Sequence, residues 1–369
     1  LWSERYDRDM HDVFAVQDEI AQSVVEKLKV KLLGKQDTRV IKRPTDNLEA
    51  YNLFLEGRYY FAKFTKTSFE RSLACFARAR ALDAGYTQAL AGAAHVQTQQ
   101  AFMGHVAPRD VMPAAKQAAL EAAAADETVA AAHIALARVL EVYEWDRPAA
   151  LRENRRAAEL SPGDALIRSF YAILLARDRQ EAASVVEARA AVESDPLSLI
   201  SRFFLSLTLV CARRFDDAVA EARHAMELDP TYFPADWSLG LAMAGQRRIE
   251  EAIEVFRHAL TLQPDDAYTQ GYLGWAVGIA GQHDEATRIL HGLEGRRRRE
   301  YCGGSSPALV SLGLGDHGQA LSWLETAAEE RDPILAFINV WFLFDDLRAD
   351  PRFEALLRRM HFPETATST

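Results

Sequence analysis

Along most of this chain apolar residues fall at steps of three and four, the spacing that lines one face of an α-helix. The stripes come in pairs. Leu239 and Gly240 lie on a first helix, Ala252, Phe256 and Ala259 on a second, and Pro264, which cannot continue a helix, closes the unit. Pro162, Pro196, Pro230 and Pro264 stand 34 residues apart, so the same two-helix unit recurs at a fixed period. A period of this length is the mark of a helix-turn-helix solenoid. The small residues let paired helices approach to roughly 8–9 Å, and a large one fills the facing gap.

The pattern extends in both directions. One unit earlier the same places hold Leu205, Ala218, Ala222, Ala225 and Pro230; one unit later they hold Leu273, Gly274, Ala286, Leu290 and Leu293, with Arg298 in place of the proline. Phe76, Ala79 and Leu82-Asp83-Ala84 mark a first unit, and Ala150, Ala157 and Pro162 a third. The second, near residues 86–127, is alanine-rich and carries extra residues in the turn from Gly104 to Pro108. A last pair runs from Pro307 through Ala320, Leu324 and Ala327 to Pro333, giving about eight pairs, each covering its neighbour's open apolar face. Position for position these units resemble the tetratricopeptide consensus. The predicted fold is therefore all-α, a right-handed superhelical solenoid of tetratricopeptide repeats over residues 46–333. Residues 334–363 are expected to form a C-terminal cap over the last repeat, and residues 364–369 a disordered tail.

Residues 1–40 break the period. The stretch from Leu1 to Arg8 alternates like an edge strand, while Phe14, Ile20, Val24, Leu28 and Leu32 keep a helical period. A lone strand needs hydrogen-bonding partners, so this piece is predicted to be the strand-helix remnant of an α/β domain whose sheet lies elsewhere or comes from another chain. An open strand edge also invites pairing with a second copy, a homodimer. The wording LWSERYDRDMHDVFAVQDEIAQSVVEKLK closely resembles the end of the TolB-like (FlgO-like) domain that precedes tetratricopeptide repeats in many bacterial signalling proteins. Tyr143-Glu144-Trp145-Asp146 and the ending from Leu347 to Phe353 are similar to that family as well. The resemblance implies a sensory or scaffolding arm. Its output domain, a nucleotide cyclase, a serine/threonine kinase or a winged-helix DNA-binding domain, would lie outside this sequence.

Charge narrows the partners. A formal net charge of −10 and a pI near 5.6 oppose binding to phosphate backbones, so no nucleic acid is expected on this chain. Cys75, Cys211 and Cys302 are few and far apart, as for reduced packing thiols in the cytoplasm. The most apolar run, Ile334 to Phe344, is 11 residues and contains Asn339. That is about half of the ~20 a membrane span needs. The chain begins without methionine or a signal-peptide pattern, as expected of a piece of a longer protein.

No constellation for catalysis, cofactor or metal emerges, and an enzyme is not predicted. Gly303-Gly304-Ser305-Ser306 lacks the preceding strand and following lysine of a phosphate loop. His283 and His291 have no neighbours at metal-ligand spacing, and Asp345, Asp346 and Asp350 read as a capping or solvated turn. The basic run from Arg296 to Arg299 sits at a helix end, where cations complement the dipole, and Arg297→Ala is expected to change stability little. Ala259→Phe, by contrast, should overpack a helix contact. In tetratricopeptide arrays the first helix of each pair lines the concave groove, which places Phe203, Leu207, Trp237, Leu241, Tyr268, Gly271 and Trp275 there. Such a groove lacks the Lys, Asn and Arg that clamp acidic chaperone tails. It suits a protein or peptide partner with hydrophobic anchors, or an amphipathic helix of the protein's own N-terminal output domain. The competing reading is that these aromatic residues only pack between neighbouring helices.

Overall fold

The computed structural model describes residues 45–362; the expected strand-helix piece over residues 1–40 and the tail over 364–369 lie outside them. Among the described residues there is no strand. Helices α1 (Leu48–Phe61) and α2 (Lys66–Leu82) form one hairpin, α3 (Thr87–Phe102) and α4 (Pro108–Ala125) the next. In the third, α5 (Ala130–Arg138) runs on as a π-helical turn (Val139–Glu144) before α6 (Arg147–Leu160). Then come α7 (Ala165–Arg177) with α8 (Glu181–Ser194), α9 (Leu199–Cys211) with α10 (Phe215–Leu228), and α11 (Pro234–Gly245) with α12 (Ile249–Leu262). The last two hairpins are α13 (Ala267–Ile279) with α14 (His283–Arg297) and α15 (Ser305–Gly313) with α16 (His317–Glu330). Two 3₁₀ turns, Pro333–Phe337 and Phe342–Leu347, and a final helix α17 (Pro351–Arg359) complete the described chain.

The repeat is physical as well as compositional. Arg168 donates to the Pro162 carbonyl at 2.7 Å and pairs with Glu187; 34 residues on, Arg202 donates to the Pro196 carbonyl at 2.8 Å and pairs with Glu221. Each proline turn is thus tied to the helix that follows it. Within the hairpins, Trp145, Arg179, Arg213, Arg247, Gly281 and Gly315, again 34 apart, all take a positive φ, between 56° and 78°. Four of the six are not glycine, although a side chain in this region costs roughly 1–2 kcal/mol. Every unit reverses direction through the same left-handed residue. Contact inside a hairpin is close: a Cβ on Gly240 would lie 2.3 Å from the Phe256 ring, and Ala252 and Ala259 are fully buried.

In every described pair but the first, the first helix is the more deeply buried. In α9 all residues from 200 to 211 are buried, whereas α10 buries only Ala218, Val219, Ala222 and Ala225. A helix enclosed all round must be covered on two sides. Second helices cover one side, and the other is covered by the chain's own C-terminal segment.

Arg297 departs from the expectation drawn from sequence. Its guanidinium forks onto Glu330 at 2.5 and 3.2 Å, donates to the Cys302 carbonyl and lies 5.0 Å over the Trp323 ring. It holds the α14–α15 connection against α16. Arg297→Ala is therefore expected to lower stability by about 1.5–3 kcal/mol in urea titration, the range for half-buried charged hydrogen bonds. A loss below ~0.5 kcal/mol, typical of surface positions, would reinstate the solvated reading.

Candidate functional site in the concave face

The six positions assigned to the groove, Phe203, Leu207, Trp237, Leu241, Tyr268 and Trp275, are all buried. The structure brings them together on α9, α11 and α13, beneath residues 333–347. Phe203, Leu207, Trp237 and Leu241 enclose, with Ile334, Phe337 and Trp341, a void of about 10 Å³, room for one water. Trp237 donates its indole N–H to Thr269 Oγ1 at 2.5 Å and meets Tyr272 edge-on. The Tyr268 hydroxyl lies 3.3 Å from Asp332, and its ring packs against Gly104, whose Cβ would stand 3.1 Å away. Trp275 contacts Phe342. Gly271 instead faces the Ser306 backbone, at 3.0 Å from a built Cβ, and serves the α13–α15 contact.

The covering segment does more than close the last hairpin. Phe337 stacks on Trp341 at 4.3 Å and reaches Phe102 of α3, while Phe342 meets Phe215 of α10. Asp345 pairs with Arg213 at 2.8 Å. Residues on either side of it close on the end of the π-helical turn: Arg331, before it, lies 3.5 Å over the Trp145 ring, while beyond α17 Phe362 sits 3.6 Å from the Arg147 guanidinium and His361 Nδ1 is 3.4 Å from the Trp145 carbonyl. Sequence reasoning missed Phe102, Phe337 and Trp341 as groove residues. The available signal was the apolar run from Ile334, which matches no repeat position.

Beneath this closure sits a buried charge cluster that periodicity did not disclose. Arg177 donates to Glu141 at 2.7 Å, Arg138 approaches the same carboxylate at 3.6 Å, and Arg147 is close by; all four side chains are buried. Burial, with Arg177 beside it, pulls Arg138 down to about 9.

A second region, beside the covered groove, is open. A cleft of about 700 Å³ runs between the inward sides of α1 and α3 (Phe54, Arg58, Phe61; Gln88, Gly92, His95) and the starts of α5, α7 and α9. The last contribute Thr128, Gly163, Asp164, Ser198 and Ile200. Its polar groups are largely engaged: Asp164 caps α7 through the Leu166 and Ile167 amides, and Ser198 caps α9. A file of rings, Phe61, His95, Phe170 and Phe204, with centroids 4.8–5.1 Å apart, joins the cleft to the covered groove.

Within that file burial, with Arg138 nearby, pushes His95 down to about 3. Because the folded value lies below the usual one near 6.5, its contribution is full above pH 6.5 and is lost as pH falls toward 3. At pH 5 that amounts to about 2 kcal/mol relative to pH 7. Asp266, which burial raises to about 6, acts in the opposite sense, losing stability between its ordinary range and pH 6 as pH rises. The comparison of His95→Phe with wild type isolates the histidine. The variant should lose clearly less stability between pH 7 and pH 5, and parallel curves would refute a neutral buried His95.

Chemistry at the other positions is structural. The Gly304 and Ser305 amides donate to Glu330 at 3.1 Å and Asp332 at 2.9 Å, so carboxylates already occupy the start of α15. His283 and His291 are exposed. Among the described residues no group of three or more His, Cys, Asp or Glu could hold a metal, and no helix is long and apolar enough to cross a membrane. The three cysteines are buried, and burial raises Cys211 to about 12 and Cys302 to about 11.

No family model matches the chain. Over 89 residues it is 36% identical to Putative adenylate cyclase 3 of Rhizobium meliloti, a match covering 24% of this chain and 15% of that protein. Among solved structures it is similar to human IFIT1, determined as a dimer with m7Gppp-AAAA, at a TM-score of 0.53 and 16% identity over 85% of this chain and 78% of the other. A tetratricopeptide repeat protein from Parabacteroides merdae matches at 0.47 and 10% identity over 72% and 98%, and PilW, a type IV pilus biogenesis factor, at 0.44 and 19% over 56% and 94%. The described residues form an array of helical hairpins with a 34-residue period. At these identities the likeness concerns the fold alone.

Proposed function

We propose that this chain is a non-catalytic protein-interaction arm of a bacterial signalling protein, a cytoplasmic right-handed superhelix of repeats that receives a peptide or partner domain in its concave cleft. The observation that carries the reading is the cleft of about 700 Å³ left open beside a groove that already receives an aromatic segment of the same chain. Its size suits a partner side-chain cluster, and its mixed walls suit an extended segment with hydrophobic anchors. The partial likeness to an adenylate cyclase favours a second form of the same reading, in which the partner is the protein's own output domain. Binding would then act only through different affinity for two output states.

Gly163 offers a clean test. It lines the cleft, and a Cβ there would meet nothing within 4 Å, so Gly163→Trp should place a ring in the cleft without disturbing the core. In capture from bacterial lysate, a protein retained by wild type should be lost by Gly163→Trp at unchanged circular dichroism. Equal capture by both would remove the cleft from the binding function.

A further inference from the structure

The groove beneath residues 333–347 is filled, but its charges are not matched by what fills it. Arg138, Arg147 and Arg177 bring three guanidiniums into the interior, and Glu141 brings the one buried carboxylate beside them, with the half-buried Asp178 near Arg147. Arg177 Nε and Nη2 and Arg147 Nη1 have no hydrogen-bond partner. Ring faces meet these groups instead: Phe337 of the covering segment lies 4.1 Å from the Arg177 guanidinium, and Phe362, beyond α17, lies 3.6 Å from that of Arg147. A ring face stabilises a cation less than a carboxylate accepting its N–H groups does. Excess positive charge is therefore stored in the interior of a chain whose net charge is −10.

The occupant is also imperfectly satisfied. Asn339 is buried within it, and neither its Oδ1 nor its Nδ2 has a partner. Facing the same groove, the Gln99 side-chain amide is unpartnered at both atoms. Buried polar groups left unpaired weaken the state that buries them. The segment starts at Asp332, which accepts from the Ser305 and Ile334 amides, and beyond this anchor its contacts are mainly aromatic, with the Asp345–Arg213 pair near its end.

We propose that the groove on α3, α7, α9 and α11 is a second binding site, and that its partner is an aromatic peptide segment carrying a carboxylate, for which residues 333–347 are the resident competitor. The partner's rings would take the places of Phe337 and Trp341, and its carboxylate would accept from the free N–H groups of Arg177, which Phe337 now covers. Binding requires the resident segment to leave, so the protein's affinity for the partner is reduced by the fraction of time the segment is seated. This site is separate from the open cleft.

The test uses two labelled peptides, residues 332–344 of this chain and the same peptide with Asn339→Asp, titrated by fluorescence anisotropy against the full chain. Phe342→Ala/Asp345→Ala removes the half-buried ring and the Arg213 pair and loosens the segment with its Asp332 anchor intact. This variant should bind the Asp peptide at least tenfold more tightly than wild type does, and at least fivefold more tightly than it binds the Asn peptide. Arg177→Met in that background should bring the two peptides within twofold. Equal binding by wild type and the loosened variant, equal binding of both peptides, or no binding at 1 mM peptide would each overturn the proposal. If the variant does not fold, hydrogen exchange of wild type decides: residues 333–347 should exchange ahead of α9 and α11, and exchange only by global unfolding overturns displacement. Gly163→Trp should leave peptide binding unchanged, which separates failure here from failure of the open cleft.

Discussion

Glu141→Gln is expected to lower stability by about 3–5 kcal/mol, the cost of breaking a buried ion pair by removing one partner. Glu141 is the carboxylate that Arg177 reaches at 2.7 Å and Arg138 at 3.6 Å. Without it the three guanidiniums would keep only ring faces and, near Arg147, the half-buried Asp178. Burial on its own would raise this carboxyl, but the charges of Arg177 and Arg138 overcome the penalty and hold it below its ordinary value. The sign follows: its contribution is full above the unfolded carboxyl range and is lost as pH falls below it. Urea titration at pH 7 should show the full loss, and the gap between Glu141→Gln and wild type should narrow on acidification. A loss under 1 kcal/mol would mean that the cluster is hydrated. A hydrophobic replacement of both partners, Glu141→Leu with Arg177→Met, should cost less than the single change, because it leaves less uncompensated charge.

What the sequence discloses depends on whether the cause is local. The hairpins follow from spacing: Gly240 against Phe256, and the alanines at 218, 222, 225, 252 and 259, are readable because close helix contact demands small residues at fixed intervals. The left-handed turns are readable at Gly281 and Gly315 but not at Arg179, Arg213 or Arg247, where the fold imposes a conformation that arginine does not advertise. The charge cluster hides for a related reason. Along Val139 to Glu144, Glu141 and Glu144 recur three apart among apolar residues, as on the exposed edge of a helix, and the π-helical turn that carries the Glu141 carboxylate inward has no residue signature. The concave assignment placed six side chains on the inward faces of first helices without indicating what covers them. Contacts such as Phe102 with Phe337 and Phe215 with Phe342 join residues more than a hundred apart, and no period connects them.

Trp341→Ala is expected to cost about 3–5 kcal/mol, as for other fully buried large-to-small changes, and the place where protection is lost will tell what the C-terminal segment does. Trp341 is 2% exposed, stacks on Phe337 at 4.3 Å and meets Tyr272 edge-on at 5.9 Å. An end cap acts on its nearest neighbour, because stability in a repeat array is passed between adjacent units. On that view the variant would lose hydrogen-exchange protection in α15 and α16 first. The contacts of residues 333–347 give a different expectation, since they touch α3, α7, α9, α10 and α13 directly. Protection should fall together in α3, α9 and α11, far from the substituted residue in sequence, while α16, held by Arg352 on Glu325 and by Arg297 on Glu330, should keep most of its own. Loss confined to the last hairpin would reduce the segment to a cap and would remove the physical basis for a covered groove, because a groove is covered only if its walls depend on what lies in it.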